Sequence, residues 1–145
     1  MQRSPEVNHY GLSIVENGDE NPTRRLYAVG KCKTRLLVQK GLEYVLLRLK
    51  DIVLFYTENK VTYVVDNFEK KYISPYNLTE LERELDNSSF FRANRQYIVN
   101  MDFIRSFRAH EKVKIRVDMN LQSLHHEVII SQETAPAFRM WMHQA

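Results

Sequence analysis

Two arginines stand three residues apart in an otherwise aromatic and apolar run, Phe90-Phe91-Arg92-Ala93-Asn94-Arg95-Gln96-Tyr97-Ile98-Val99-Asn100. A strand made only for burial would not carry Arg92 and Arg95, and one made only for solvent would not need Phe90, Phe91, Tyr97, Ile98 and Val99. A guanidinium is a planar fork of donors that fits two adjacent acceptors, such as guanine O6 and N7 or two phosphate oxygens. The amides of Asn94 and Gln96 can match adenine N6 and N7 in the same way. This is the chemistry of recognition rather than of bond making. Arg95, at the centre of the polar triplet, is expected to present its fork. Arg92, just after Phe91, is expected to be partly buried and to tie a loop to the sheet, with Asn100 as a turn or backbone-bonding residue.

The charge around this stretch is local. From Phe90 to Arg116 there are seven basic residues against Asp102 and Glu111, a net of +5, whereas the whole chain carries only +3 with a pI near 9.0. In Lys112-Val113-Lys114-Ile115-Arg116-Val117 the basic residues alternate with Val113, Ile115 and Val117, one face charged and one apolar. Such a face can follow a phosphate backbone, which supplies affinity and salt dependence rather than sequence choice. Its plainer use is as the solvated side of a half-buried strand.

Enzymatic and metal chemistry lack a constellation. There is no G-x-S-x-G, P-loop or dinucleotide fingerprint, and the chain has four glycines. His125 and His126 are adjacent, so on a strand they point to opposite faces, a poor start for chelation. Neither catalysis nor a cofactor is expected. Cys32 is the single cysteine, which excludes an internal disulfide and suggests a reducing compartment. No apolar run approaches the roughly 18 residues of a membrane span, and the polar start MQRSPEVNHY does not read as a signal peptide. The expectation is a cytoplasmic protein.

These residues need a scaffold. The 145 residues suit one domain with a tail. Residues 1–33 lack periodicity and include the turn-formers Asn17, Gly18, Asp19, Asn21 and Pro22, so an irregular tail or linker is expected, with one short strand near Leu26–Val29. A single domain is expected over 34–145. From Arg35 the chain is rich in Val, Leu, Ile, Tyr and Thr, broken at Lys40-Gly41 and at Glu58-Asn59-Lys60, the latter a hairpin signal. Leu78, Leu81 and Leu85 mark one face of a short helix that Asn77 with Glu80, or Thr79 with Glu82, would cap, and Asn87-Ser88 would end it. Ser131 and Thr134 are candidate caps for a closing helix with an apolar stripe of Phe138, Trp141 and Met142.

The short leucine-bearing helix, then SSFFRANRQYIVNMDFI, then a final hairpin leading to SQETAPAFRMWM resemble the LytTR DNA-binding domain, the output domain of LytR/AgrA-like response regulators. The likeness covers about Thr34 to Met142. Phe90, Arg92, Arg95, Ile98, Val99 and Asn100 stand where the family motif has them, while Asn94 replaces the usual histidine and Gln96 the usual serine. The resemblance implies a mainly β fold of elongated antiparallel sheets, with one short helix mid-chain and a C-terminal helix. It implies binding to double-stranded DNA with repeated half-sites, as a dimer on DNA, downstream of a receiver domain or sensor kinase in a two-component system that regulates transcription.

Carried over residue by residue, the resemblance places DNA contacts in three segments. They are the hairpin with Asn59, Lys60 and Thr62, the motif centre with Asn94, Arg95 and Gln96, and the turn before the last helix with Ser131 and Gln132. Many relatives have an arginine after that serine. Here Gln132 is followed by Glu133, and a carboxylate near phosphate costs affinity. The competing expectation is a module of the same fold used mainly for protein–protein interaction, with DNA binding weak or lost.

Overall fold

The computed structural model describes residues 33–145, so the strand expected near Leu26–Val29 lies outside the described residues. Along the described chain the elements are β1 (Arg35–Lys40), β2 (Glu43–Arg48), β3 (Ile52–Glu58), β4 (Val61–Asp66), β5 (Lys71–Ile73), α1 (Leu78–Glu84), β6 (Phe90–Arg92), β7 (Tyr97–Asn100), β8 (Ile104–His110), β9 (Lys114–Met119), β10 (Val128–Ile130) and α2 (Ala135–His143). The mainly β, antiparallel class with a mid-chain and a C-terminal helix is as expected. Seven strands form one sheet in the order β2-β1-β5-β4-β3-β7-β6, and three form a second in the order β10-β9-β8.

The long apolar runs bury both faces of the first sheet, which is why they do not alternate cleanly. On one face Leu36, Val38, Phe55, Val64, Phe90 and Ile98 pack against Leu78, Leu81 and Leu85 of α1 and its C-cap. On the other, Leu54, Tyr56, Val65 and Val99 meet Ile115, Val117 and Val128 of the second sheet and Phe138 and Trp141 of α2. The pairing of β3 with β4 slips between Ile52 and Leu54, a bulge that sends Val53 and Leu54 into the same core. The second sheet does not reach the far strands of the first. Leu37, Tyr44, Leu46 and Ile73, on β1, β2 and β5, are therefore exposed.

Local signals set the element ends. Asn77 and Glu80 form the capping box, Asn77 Oδ1 accepting from the Glu80 amide at 2.8 Å and Glu80 Oε1 from the Asn77 amide at 2.9 Å. The helix closes at the Leu85 C-cap, short of the expected Asn87-Ser88. Thr134 occupies the N-cap of α2 without a side-chain cap bond. Val113, expected on the inward face of a strand, lies in the β8–β9 turn and is exposed; Ile115, Val117 and Met119 form the buried face instead. No helix among the described residues is long and apolar enough to cross a membrane.

Candidate nucleic-acid interface

The β6–β7 loop is assembled around Asn94. Its Oδ1 accepts from the amides of Gln96 (2.7 Å) and Tyr97 (3.0 Å), and its Nδ2 donates to the Ile129 carbonyl (2.7 Å) in β10. One side chain thus shapes its own turn and ties it to the second sheet. For Asn94, expected to read a base, both ends of the amide make bonds within the fold. Arg92 works from the opposite side. Its Nε donates to the Asn94 carbonyl (2.6 Å), Nη2 to the Arg95 carbonyl (3.3 Å) and Nη1 to Glu82 on α1 (3.1 Å). The expected holding role of Arg92 is what the geometry has.

Phe90 and Phe91 brace the same loop by entering different cores. Phe90 is buried beside Phe55, whereas Phe91 lies between Phe138 and Trp141 with ring centroids 5.5 and 5.1 Å away. Asn100 is buried, donating to the Ile52 carbonyl (2.8 Å) and accepting from the Asp102 amide (3.0 Å). With backbone and neighbours held, the side chains of Arg95 and Gln96 are exposed, and Arg95 makes no ion pair among the described residues.

Two further segments meet this loop. The Thr57 amide donates to the Gln96 carbonyl (3.0 Å), which sets the loop beside the β3–β4 hairpin. At its tip Asn59 (φ 53°) and Lys60 (φ 67°) both adopt the left-handed conformation of a type I′ turn and are exposed. Thr62, expected to flank a tip entering a groove, is buried; its hydroxyl lies 3.3 Å from that of its cross-strand partner Thr57. On the other side, the Asn94–Ile129 bond brings in the turn after β10, where Ser131, Gln132 and Glu133 are exposed. Ser131 Oγ donates to Thr134 Oγ1 at 3.3 Å. The Thr57–Gln96 and Asn94–Ile129 bonds thus make the segments that carry Asn59 and Lys60, Arg95 and Gln96, and Ser131 and Gln132 neighbours in the fold.

The basic face on β9 is not free. Lys114 pairs with Glu111 (3.1 Å), and Arg116 lies 3.3 Å from Glu127 and 3.6 Å from Asp118, which Arg108 also contacts at 2.9 Å. Asp118 and Glu127 fall outside the positive stretch of the sequence, so the charge count missed them. Lys112 is in the turn, at φ 74°.

Two contacts that sequence reasoning missed support these three segments. Tyr97, next to Gln96, places its hydroxyl 2.9 Å from His126 Nδ1, and the Tyr56 ring lies 4.5 Å from the imidazole. Burial, with His125 and Lys71 nearby, lowers the His126 pKa, and Glu58 partly offsets this. The segment leading to His126 is anchored by Glu69, whose carboxylate accepts from the amides of Gln122 (2.7 Å), Ser123 (2.8 Å) and Leu124 (2.8 Å). Those backbone donors, chiefly of Gln122 and Leu124, hold the Glu69 carboxyl below its ordinary range. No short-range motif links residues more than 50 apart in this way.

The LytTr DNA-binding domain family model matches residues 43–143. The chain belongs to this family. A LytTr DNA-binding domain from a methyl-accepting/DNA response regulator of Bacillus cereus superimposes with a TM-score of 0.67 over 76% of this chain and 97% of that one; at 24% identity this is a likeness of fold. The heme-containing CO-sensing transcriptional regulator RcoM 1 of Paraburkholderia xenovorans is 36% identical over 108 residues, covering 74% of this chain and 36% of that protein. The transcriptional regulatory protein YpdB of Escherichia coli K12 is 32% identical over 95 residues, 66% of this chain and 38% of the relative. The chain therefore spans little more than a third of the curated relatives it matches.

Proposed function

We propose that this LytTr domain binds duplex DNA sequence-specifically, as the DNA-reading part of a bacterial transcriptional regulator in the cytoplasm. It acts as the output module of a two-component system, bound as a dimer to repeated half-sites. The observation that carries the proposal is Arg95: an exposed guanidinium on a loop whose backbone is clamped by Arg92 and Asn94. With the backbone already fixed, only the side chain of Arg95 has to be ordered when its fork binds two acceptors, which suits base recognition. Arg95 and Gln96 read bases, Asn59 and Lys60 follow the groove beside them, and Ser131 and Gln132 form a third contact. Asn94 and Thr62 hold the surface rather than touch DNA. The relatives' names, two transcriptional regulators and a response regulator, support the regulatory role.

The test is a titration against random duplex DNA over a salt series, followed by selection of enriched sites. Tight binding with a steep salt slope and an enriched repeat is expected. No binding at low salt would reject the proposal in favour of a protein–protein module, a reading to which the exposed Leu37, Tyr44, Leu46 and Ile73 lend support. Salt-dependent binding without an enriched site would remove the specificity.

A further inference from the structure

A cleft of about 370 Å³ wraps the free edge of β6, between the end of α1 and α2. Leu85, Phe90, Ile98 and the ring of Trp141 form its apolar side, and Asn87 and Arg92 with Glu82 its polar side. The Trp141 indole N–H is already bonded to the Asn87 carbonyl at 2.7 Å, so the indole offers its ring rather than a donor. The volume falls within the roughly 300–1,000 Å³ of small-molecule sites. We infer that this cleft binds a small amphipathic carboxylate, with an aromatic or aliphatic body between Phe90 and Trp141 and its anionic head on Arg92.

The charge arrangement selects this class. A guanidinium has five N–H groups, and three acceptors engage that of Arg92, leaving two for a ligand. Its present anionic partner is replaceable: the Glu82 side chain is 51% exposed against 23% for Arg92. An exposed carboxylate in such a pair gives little stability and returns to water at small cost. A ligand carboxylate whose body fills the cleft would meet the same guanidinium with less water around it, where the attraction is stronger.

The occupied cleft also reports to the loop, because the same guanidinium holds the carbonyls of Asn94 and Arg95. A carboxylate on the two remaining N–H groups pulls the guanidinium toward the cleft, weakens its bonds to those carbonyls and loosens the backbone that presents Arg95. Ligand and DNA then oppose each other, by the same factor in both directions. This coupling rests on the DNA-binding proposal above; the ligand site does not.

Trp141 is the single tryptophan, so its fluorescence reads the cleft directly. Without DNA, 4-phenylbutyrate should give a saturable change, with 4-phenylbutyramide at least about 10-fold weaker because the charge-assisted bond is gone. Glu82→Gln, at an exposed position, should tighten the acid several-fold, and Arg92→Gln should abolish the preference for acid over amide. Equal binding of acid and amide, no gain in Glu82→Gln, or no saturable change up to about 10 mM, beyond the weak end of specific binding, would overturn the site. Saturating acid should weaken DNA binding several-fold, and unchanged DNA affinity would overturn the coupling alone. Absence of DNA binding without ligand would count against the proposed function and the coupling together, leaving the fluorescence result standing.

Discussion

The Asn94 side chain donates to the Ile129 carbonyl at 2.7 Å, so one amide joins the β6–β7 loop of the first sheet to the last strand of the second. The same amide accepts from the Gln96 and Tyr97 backbones. Asn94→Ala removes all three bonds and leaves partly buried groups unpaired, which costs about 1–3 kcal/mol of stability. Thermal melts should show this loss, and DNA affinity should fall for every sequence alike. Lost discrimination at one base with unchanged stability would return Asn94 to base reading.

Arg95→Ala and Arg92→Ala should separate. Arg95 is exposed with no ion pair among the described residues, so its loss should leave stability within about 0.5 kcal/mol. Discrimination at one base position should drop by about 1–3 kcal/mol in a competition assay. Arg92→Ala should lower the melting temperature and weaken binding across all sites. The reverse pattern would exchange the two roles.

Lys60 sits at φ 67°, where a side chain is strained and glycine is not. Lys60→Gly should therefore raise stability, by up to about 1 kcal/mol in denaturant titrations. It should also weaken DNA binding and reduce the salt slope by about one if the ammonium meets a phosphate. An unchanged slope would place Lys60 off the DNA.

The Glu69 latch has a defined pH sign. Its folded pKa is depressed, chiefly by the Gln122 and Leu124 amides. Its contribution is therefore complete above the ordinary glutamate value of about 4.3 and is lost as pH falls through the lower folded value. Protection factors of the amides of Gln122, Ser123 and Leu124, taken relative to intrinsic exchange, should fall over that window. Glu69→Gln, which cannot titrate, should abolish the pH dependence.

His126 has its pKa lowered, first by burial and then by His125 and Lys71. A folded state that prefers neutral imidazole is fully stabilised above the ordinary histidine value of about 6.5 and loses that contribution as pH falls through the lower folded value. NMR titration of the ring should give a midpoint below the ordinary histidine value. His126→Gln should flatten the melting-temperature profile over the same range.

Much of the fold was legible because its signals are short-range. Asn77 and Glu80 lie three apart and cap one helix, Asn59-Lys60 turns one hairpin, and Leu78, Leu81 and Leu85 share one face. The motif residues already separated Arg92 from Arg95, since one follows two aromatics and the other sits between two amides. Tertiary structure decided what each polar group has left to offer. Asn94, Thr62, Lys114 and Arg116 all look available along the chain, yet Ile129, Thr57, Glu111, Glu127 and Asp118 reach them. Residue type sets which bonds a side chain can make, but whether a groove could still receive them depends on partners that only folding brings near.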